Sequence, residues 1–195
     1  SMTLSVDAVR NIAVTGHSSA GKTTLVDALL VQSGAIQGNP SVDDGTSICD
    51  FDEEEKHHKH SIEAAITHFE HAGKHFNVVD TPGYPELIGQ TIGALRGVDN
   101  VLVVIDAHAG IKVNTRRVWR EATERKLPRI ICITKLDDHA VDFPALIDSI
   151  AEVFGPQCVP FNLPLGCGSE LTGVASTVAP PKEAVAKPKP ADPTQ

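Results

Sequence analysis

The stretch Gly16-His17-Ser18-Ser19-Ala20-Gly21-Lys22-Thr23 decides the fold. It matches the spacing G-x-x-x-x-G-K followed by Ser or Thr, between a β-branched run and a helical pattern that runs from Lys22 to about Gln32. The glycines permit a backbone that aims consecutive N–H groups at phosphate oxygens, and the helix turns its positive end toward the same charge. Lys22 can neutralise phosphate charge, and the Thr23 hydroxyl can ligate Mg²⁺. The stretch therefore predicts a phosphate-binding loop.

Outward from this loop, short apolar runs alternate with helical patterns. Strands are predicted at Val9–Thr15, Phe76–Val79, Val101–Ile105 and Ile130–Ile133, and Ile62, Ala64 and Ile66 alternate as in a further strand. Helices are predicted from Ile88 to Leu95, from Thr115 to Ala122 and from Phe143 to Phe154. We expect the strands at 101–105 and 130–133 to be buried. The pattern predicts an α/β fold of the P-loop NTPase type, with a mostly parallel sheet and helices on both faces.

Composition narrows the classes of function. The 195 residues carry a net charge of −8 and only 4% aromatic residues, which argues against a generally cationic nucleic-acid binder or a single-strand stacking platform. We interpret Arg116, Arg117 and Arg120 as a solvated helix face, with a partner surface as the alternative. Four cysteines without paired spacing indicate neither a disulfide framework nor a zinc ribbon.

A second motif, Asp80-Thr81-Pro82-Gly83, ends the strand at 76–79. An acidic residue at such a strand end can hold Mg²⁺, and the Gly83 N–H can meet a γ-phosphate. Without a phosphate-binding loop upstream, these residues would read as an ordinary acidic turn. With the loop present, the motif predicts the metal-facing side of a nucleotide site.

A third motif, Thr134-Lys135-Leu136-Asp137, follows the strand at 130–133. A carboxylate there can accept both the ring N–H and the exocyclic amine of guanine in a charge-assisted pair. Adenine offers no such pair of donors and would leave the carboxylate unpaired. The motif therefore favours guanine over adenine, although an ATP-using enzyme stays open as a weaker alternative.

The three motifs, in this order and spacing, resemble the translational GTPases, and the elongation factor G family most closely. The residues at 95–105, 118–122 and 159–166 are similar to that family as well, so the likeness covers about 9–178. It implies a GTP-binding domain at 9–178 that ends within a domain insert. Ser1 before Met2 indicates a tag remnant with a lead-in at 1–8, and composition predicts a Pro/Ala/Lys-rich disordered tail or linker at 179–195. The likeness also implies GTP/GDP and Mg²⁺ as cofactors and the ribosome as the partner of the full-length factor. From charge, the length of the apolar runs and cysteine usage we expect a cytoplasmic fragment that binds neither DNA nor membrane, and we expect this fragment to be monomeric.

The residues at 50–56 are similar to the first switch of this family. This similarity implies that Ser61 supplies the hydroxyl that ligates Mg²⁺ in the GTP state. We interpret His57, His58 and His60 as part of a solvated switch, because a structural zinc site needs four spaced ligands. Metal binding by these histidines is the alternative.

Three positions depart from the family pattern. Tyr84 stands where the family has the His that positions the attacking water, and a phenol with a pKa near ~10 cannot become a cation at neutral pH. Thr134 replaces an Asn, which loses an amide that helps to hold the base and the phosphate-binding loop together, and Ser19 replaces an Asp. We expect binding to survive and hydrolysis to be slow. A regulatory module that holds nucleotide without turnover is the alternative.

The expected site gathers all three motifs. The predicted catalytic residues are Lys22, Gly83 and Tyr84, and the predicted metal ligands are Thr23, Ser61 and Asp80. The predicted nucleotide-binding residues are Gly16, His17, Ser18, Ser19, Ala20, Gly21, Lys22, Thr23, Thr24, Asp80, Thr81, Pro82, Gly83, Tyr84, Thr134, Lys135, Leu136 and Asp137.

Overall fold

A computed structural model describes residues 5–38, 40, 47, 64–138 and 141–178, together with the backbone of 185–186. The chain divides into two compact units, Ser1–Asp106 with Ile111–Thr134, and Ala107–Gly110 with Lys135–Gln195. The residues at 50–56 that resemble a first switch, the histidines at 57–60 and Ser61 lie outside the described residues.

The first unit contains a five-stranded sheet. Its strands are β1 (Val9–Gly16), β2 (Ala65–His71), β3 (Lys74–Asp80), β4 (Asn100–Asp106) and β5 (Arg129–Thr134), in the order β2-β3-β1-β4-β5. β1 runs parallel to both β3 and β4, and β4 runs parallel to β5. Only β2 is antiparallel, because it forms a hairpin with β3. The predicted mostly parallel sheet is confirmed.

Helices cover both faces of this sheet, as predicted. The first unit holds α1 (Lys22–Gln32), α2 (Ile88–Ala94) and α3 (Val113–Glu124). Val26 and Leu30 of α1 pack in one core cluster with Val14 of β1. Thr15, the next residue of β1, points to the opposite face, where it lines a crevice with residues of α2 and α3. β1 therefore lies in the middle layer, and its carboxyl end emerges between helices.

One burial expectation was wrong. The strand at 130–133 is not buried: Ile130 is 59% exposed, because β5 is an edge strand with β4 as its one neighbour. In β2 the buried side chains are Ala65, Thr67 and Phe69, whereas Ile66 is 70% exposed. The hairpin register with β3 places this alternate set of side chains on the face that packs against the α1 cluster.

The second unit begins its regular structure with α4 (Phe143–Phe154). The Asp142 side chain caps this helix by accepting a hydrogen bond from the backbone N–H of Ala145 at 3.0 Å, and Leu146, Ile150 and Phe154 form its buried stripe. Three short strands, β6 (Asn162–Leu165), β7 (Gly173–Ser176) and β8 (Val185–Ala186), then form an antiparallel sheet. β8 lies within 179–195, and the division of the chain at 178 stays a prediction.

None of the helices in the described ranges is long and apolar enough to cross a membrane.

Candidate nucleotide-binding site

Two glycines set the path of the phosphate-binding loop between β1 and α1. A Cβ at Gly16 would lie 2.5 Å from the carbonyl oxygen of Val104 in β4, so the two strands approach too closely for a side chain. Gly21 is the N-cap of α1 and has φ +85° and ψ 23°, the left-handed conformation that glycine adopts at little cost. Ser19 has φ +63° without being glycine. The loop therefore includes one strained position, of the kind that clusters at functional sites.

Lys22, the lysine of the loop, is buried. It is 6% exposed, and its ammonium group donates a hydrogen bond to the carbonyl oxygen of His17 at 3.0 Å. Burial lowers the pKa of Lys22 below its usual value, and the nearby carboxylate of Asp80 counteracts that shift. The side chain thus folds back over the loop, where it can meet a phosphate.

Thr23 and Asp80 bring two motifs into direct contact. The Thr23 hydroxyl, in the first turn of α1, donates a hydrogen bond of 2.6 Å to Oδ2 of Asp80, which is the last residue of β3. Asp80 is buried. A hydroxyl and a carboxylate oxygen are hard oxygen ligands, so this pair fits Mg²⁺. Sequence spacing alone predicted both residues as metal ligands, and the parallel pairing of β1 with β3 explains why they meet.

Gly83 packs directly on the phosphate-binding loop. The segment is anchored by Thr81, whose N–H and hydroxyl both donate to the carbonyl oxygen of Val14, at 3.1 and 2.8 Å. A Cβ at Gly83 would clash with the backbone nitrogen of Ser18 and lie 2.6 Å from the carbonyl carbon of His17. The contact leaves no room for any side chain at position 83.

Tyr84 lies beside this contact. It precedes a short 3₁₀ turn, Pro85–Leu87, and lines the crevice that Thr15 also lines. Thr91 of α2 and Asn114 of α3 line the same crevice, and each donates a hydrogen bond of 3.4 Å to a carbonyl oxygen of the segment 82–85. These contacts fix the segment that carries Tyr84 against two helices.

Thr134 also contacts the phosphate-binding loop, which corrects one expectation. Its hydroxyl lies 2.7 Å from the carbonyl oxygen of Ala20 and 3.3 Å from that of Ile105, so it can donate to either. We expected the change from Asn to Thr to weaken the link to this loop. A link is present, because the Thr134 hydroxyl at the end of β5 reaches the carbonyl oxygen of Ala20 in this loop.

His17 is a residue whose environment the motif did not reveal. Its Nδ1 lies 2.6 Å from the carbonyl oxygen of Ser18, so Nδ1 carries the donated hydrogen. Nε2 is buried and has no hydrogen-bond partner within the described part of the chain. Burial lowers the pKa of His17, partly offset by the Ser18 carbonyl and by Asp106. Position 17 is a variable position of the motif, so only the tertiary structure could reveal this neutral imidazole.

The structure brings most of the predicted residues together in the first unit. The loop at 16–23, the segment 80–84 and Thr134 lie there, and Thr24 is exposed in the first turn of α1. Lys135, Leu136 and Asp137 lie in the second unit, where the Leu136 carbonyl accepts a hydrogen bond of 2.8 Å from the Gly168 N–H. Ser61 is outside the described residues.

Residues 7–186 match the model of one protein family, described as the elongation factor Tu GTP binding domain. The chain belongs to this family. The resemblance to translational GTPases that the motifs indicated is thereby confirmed, and this GTP-binding domain has the fold that they predicted.

Several known proteins are similar to this GTP-binding domain. An elongation factor G-like protein of Mycobacterium tuberculosis is 38% identical over 160 residues, which cover 82% of this chain and 22% of that protein. Ribosome-releasing factor 2, mitochondrial, of Bos taurus is 34% identical over 170 residues, covering 87% of this chain and 22% of its own length. A crystal structure of a Thermus thermophilus protein superposes with a TM-score of 0.80 at 35% identity and covers 87% of this chain and 25% of that one. The chain spans about a fifth to a quarter of the proteins it matches.

Proposed function

We propose that the chain is the nucleotide-binding domain of a longer elongation factor G-like protein that binds GTP and GDP with Mg²⁺ and hydrolyses GTP on the ribosome. The names of the relatives support this proposal, since they include elongation factor G and ribosome-releasing factor 2. Their length supports it too, because the matched region is a minor part of each. We also propose a cytoplasmic location, as for a translation factor.

The contact between Thr23 and Asp80 is the observation that carries the proposal. Their oxygen atoms lie 2.6 Å apart, beside Lys22 and at the N-terminus of α1. A triphosphate held by the amides of residues 16–23 would place its β- and γ-oxygens toward this pair. An acidic turn without nucleotide chemistry does not explain why a buried aspartate, a threonine hydroxyl and a buried lysine converge.

Positioning and electrostatics would supply the catalysis. Lys22 would neutralise charge on the transferred phosphoryl group, and the Gly83 N–H would donate to a γ-phosphate oxygen. Mg²⁺, when bound by Thr23 and Asp80, supplies further positive charge to the same oxygens. Tyr84 would orient the attacking water through its phenol, without the cationic form that a histidine can adopt. Hydrolysis is therefore slow in this proposal.

A regulatory module without turnover is the second candidate, and Tyr84 is the observation that favours it. The two candidates share the site and differ only in the chemical step. Single-turnover GTP hydrolysis in the presence of ribosomes separates the two candidates. The measurement uses a full-length protein, as long as the relatives, that contains this domain. We expect Tyr84→His to increase the rate, and an unchanged rate would contradict the role given to position 84.

Calorimetric titration with GTP, GDP and ATP in millimolar Mg²⁺ tests binding itself. We expect uptake of both guanine nucleotides and weaker uptake of ATP. Thr23→Ala should reduce the dependence of binding on Mg²⁺, whereas the neighbouring exposed Thr24→Ala is the matched control for a threonine removed from the same turn. A folded sample that takes up neither GTP nor GDP would overturn the proposal.

The role of Asp137 is tested by changing only the base of the nucleotide. Inosine diphosphate lacks the exocyclic amine of GDP, so a carboxylate that accepts from that amine must discriminate between the two. We expect the wild-type chain to bind GDP more tightly than inosine diphosphate, and Asp137→Ala to bind both alike. Asp138→Ala provides a control of the same type. Equal discrimination in wild type and Asp137→Ala would rule out this role for Asp137.

A further inference from the structure

The outer side of α3 carries a concentration of positive charge. We name as the basic face the exposed side chains of Lys112, Arg116, Arg117 and Arg120. The chain as a whole has a net charge of −8, with 17 Lys and Arg against 25 Asp and Glu. Residues 112–129 nevertheless hold seven of those 17 basic residues and only two of the 25 acidic ones. Positive charge is therefore concentrated in α3 and the residues that flank it, although the exposed Glu124 lies on the same side of α3 as Arg120.

The geometry of α3 directs the basic face to solvent. Its buried residues are Thr115, Val118 and Ala122, which form one stripe along the helix. At about 100° per residue, Arg120 lies opposite the centre of that stripe, and Arg116 and Arg117 lie to either side of it. The arginines thus project away from the sheet, where they can reach a partner.

The arginines of the basic face differ from Arg125 and Arg129, each of which contacts another side chain. Arg125, the C-cap residue of α3, pairs with Glu121 at 2.7 Å. Arg129 stacks over the ring of Trp119, with its guanidinium carbon 4.5 Å from the ring centre. No carboxylate in the described part of the chain pairs with Arg116, Arg117 or Arg120. These three guanidinium groups keep their donors available.

We propose that the basic face binds the phosphate backbone of double-stranded RNA. Guanidinium groups bind phosphate oxygens in bidentate pairs, and three of them on one helix face suit a row of phosphates. The outer face offers no exposed aromatic residue for stacking, which disfavours a single strand. An acidic protein partner is the less favoured class, because the outer side of α3 carries a single exposed apolar residue, Val113, whereas protein interfaces are built around clusters of apolar or aromatic anchors. The choice of RNA over DNA rests on the proposed function.

Fluorescence anisotropy with a fluorescein-labelled RNA duplex of about 16 base pairs tests the proposal at several salt concentrations. Each neutralised phosphate contributes about 0.9 to the slope of log affinity against log salt in a duplex. We expect the variant with Arg116→Gln, Arg117→Gln and Arg120→Gln to lose about 2–3 from that slope. Arg125→Gln, which removes a paired arginine from the same helix, should change affinity by less than about twofold.

The outcomes separate the basic face from the nucleotide site. GDP binding by the triple variant should equal that of the wild type, since none of the three arginines belongs to the site. No binding of the duplex by the wild-type chain at low salt, or an unchanged slope in the triple variant, overturns the proposal. Tighter binding of a poly-glutamate peptide than of the duplex would also overturn it, in favour of an acidic protein. A wild-type chain that binds RNA and no GDP would overturn the proposed function alone.

Discussion

The phosphate-binding loop is held by two contacts of different physical kinds. On one side, Gly83 packs against the backbone of His17 and Ser18, with no space for a Cβ. On the other side, Thr134 reaches the carbonyl oxygen of Ala20 through one hydroxyl. The first contact is steric and involves main-chain atoms that cannot rotate away. The second is a hydrogen bond that several side chains could make.

The difference predicts which of the two positions accepts other side chains. A steric contact between backbones admits only glycine, and position 83 keeps glycine. A side-chain hydrogen bond depends on one polar atom at the right place, and position 134 meets that need with threonine. Substitutions at the two contacts should therefore differ in size.

Gly83→Ala should have the largest effect. The new Cβ would displace main-chain atoms of the loop, so we expect unfolding free energy to fall by about 1–3 kcal/mol and GDP affinity to fall more than about tenfold. Gly89→Ala is the control, because a Cβ there meets nothing within 4 Å, and alanine in α2 should stabilise by about 0.5–1 kcal/mol. Urea unfolding and GDP titration measure both. If Gly83→Ala bound GDP as tightly as the wild type, the segment at 80–84 and the phosphate-binding loop would be able to move apart at no cost to binding.

Thr134→Val should have a smaller effect. It removes the hydroxyl and leaves the buried Ala20 carbonyl without that donor, at a cost of about 1–2 kcal/mol in unfolding free energy. Thr134→Ser keeps the hydroxyl and should stay within about 0.5 kcal/mol of the wild type. Equal urea midpoints for the Val and Ser variants would mean that the hydrogen bond contributes nothing.

Ser19→Gly should act in the opposite direction. The φ of +63° strains a serine, and glycine relieves that strain, so we expect a gain of about 0.5–1 kcal/mol after the entropy of glycine is counted. Ser18→Gly, at a neighbouring position whose φ is not positive, should instead lose about 0.4–1 kcal/mol. Thermal unfolding of the two variants checks the sign. If Ser19→Gly lowered the unfolding free energy as much as Ser18→Gly, the backbone at position 19 would not be strained.

His17→Gln should have the smallest effect, visible only through pH. Burial lowers the pKa of His17 in the folded state, so below about pH 6.5 the unfolded chain takes up a proton that the folded chain resists. Acidification therefore destabilises the wild type through this group. We expect the unfolding free energy of the wild type to fall more than that of His17→Gln between pH 7.5 and 5.5. If the unfolding free energies of the wild type and of His17→Gln fell equally with pH, His17 would not contribute to the pH dependence of stability.

Much of the fold could be predicted because its signals are local. The helix at 22–32 matches the structure to the residue, since a lysine after glycine begins it and Ser33 and Gly34 end it. The exposure of Ile130 in β5 could not be predicted, because it depends on which strand lies at the edge of the sheet. The buried face of β2 could not be predicted either, because it depends on which side chains meet α1. A run of apolar residues reads alike at the centre and at the edge of a sheet.

The sequence by itself determined the phosphate-binding loop, the order of strands and helices as far as α4, and the family, because each depends on residues that are neighbours in the chain. Only the tertiary structure decided that Thr23 meets Asp80, that Thr134 reaches Ala20, and that Gly83 must be glycine. These pairs lie more than 50 residues apart, and parallel strands bring their ends to one edge of the sheet whatever the length of chain between them. The hydrogen bonds and steric limits at that edge follow from distance in space, which spacing in sequence does not contain.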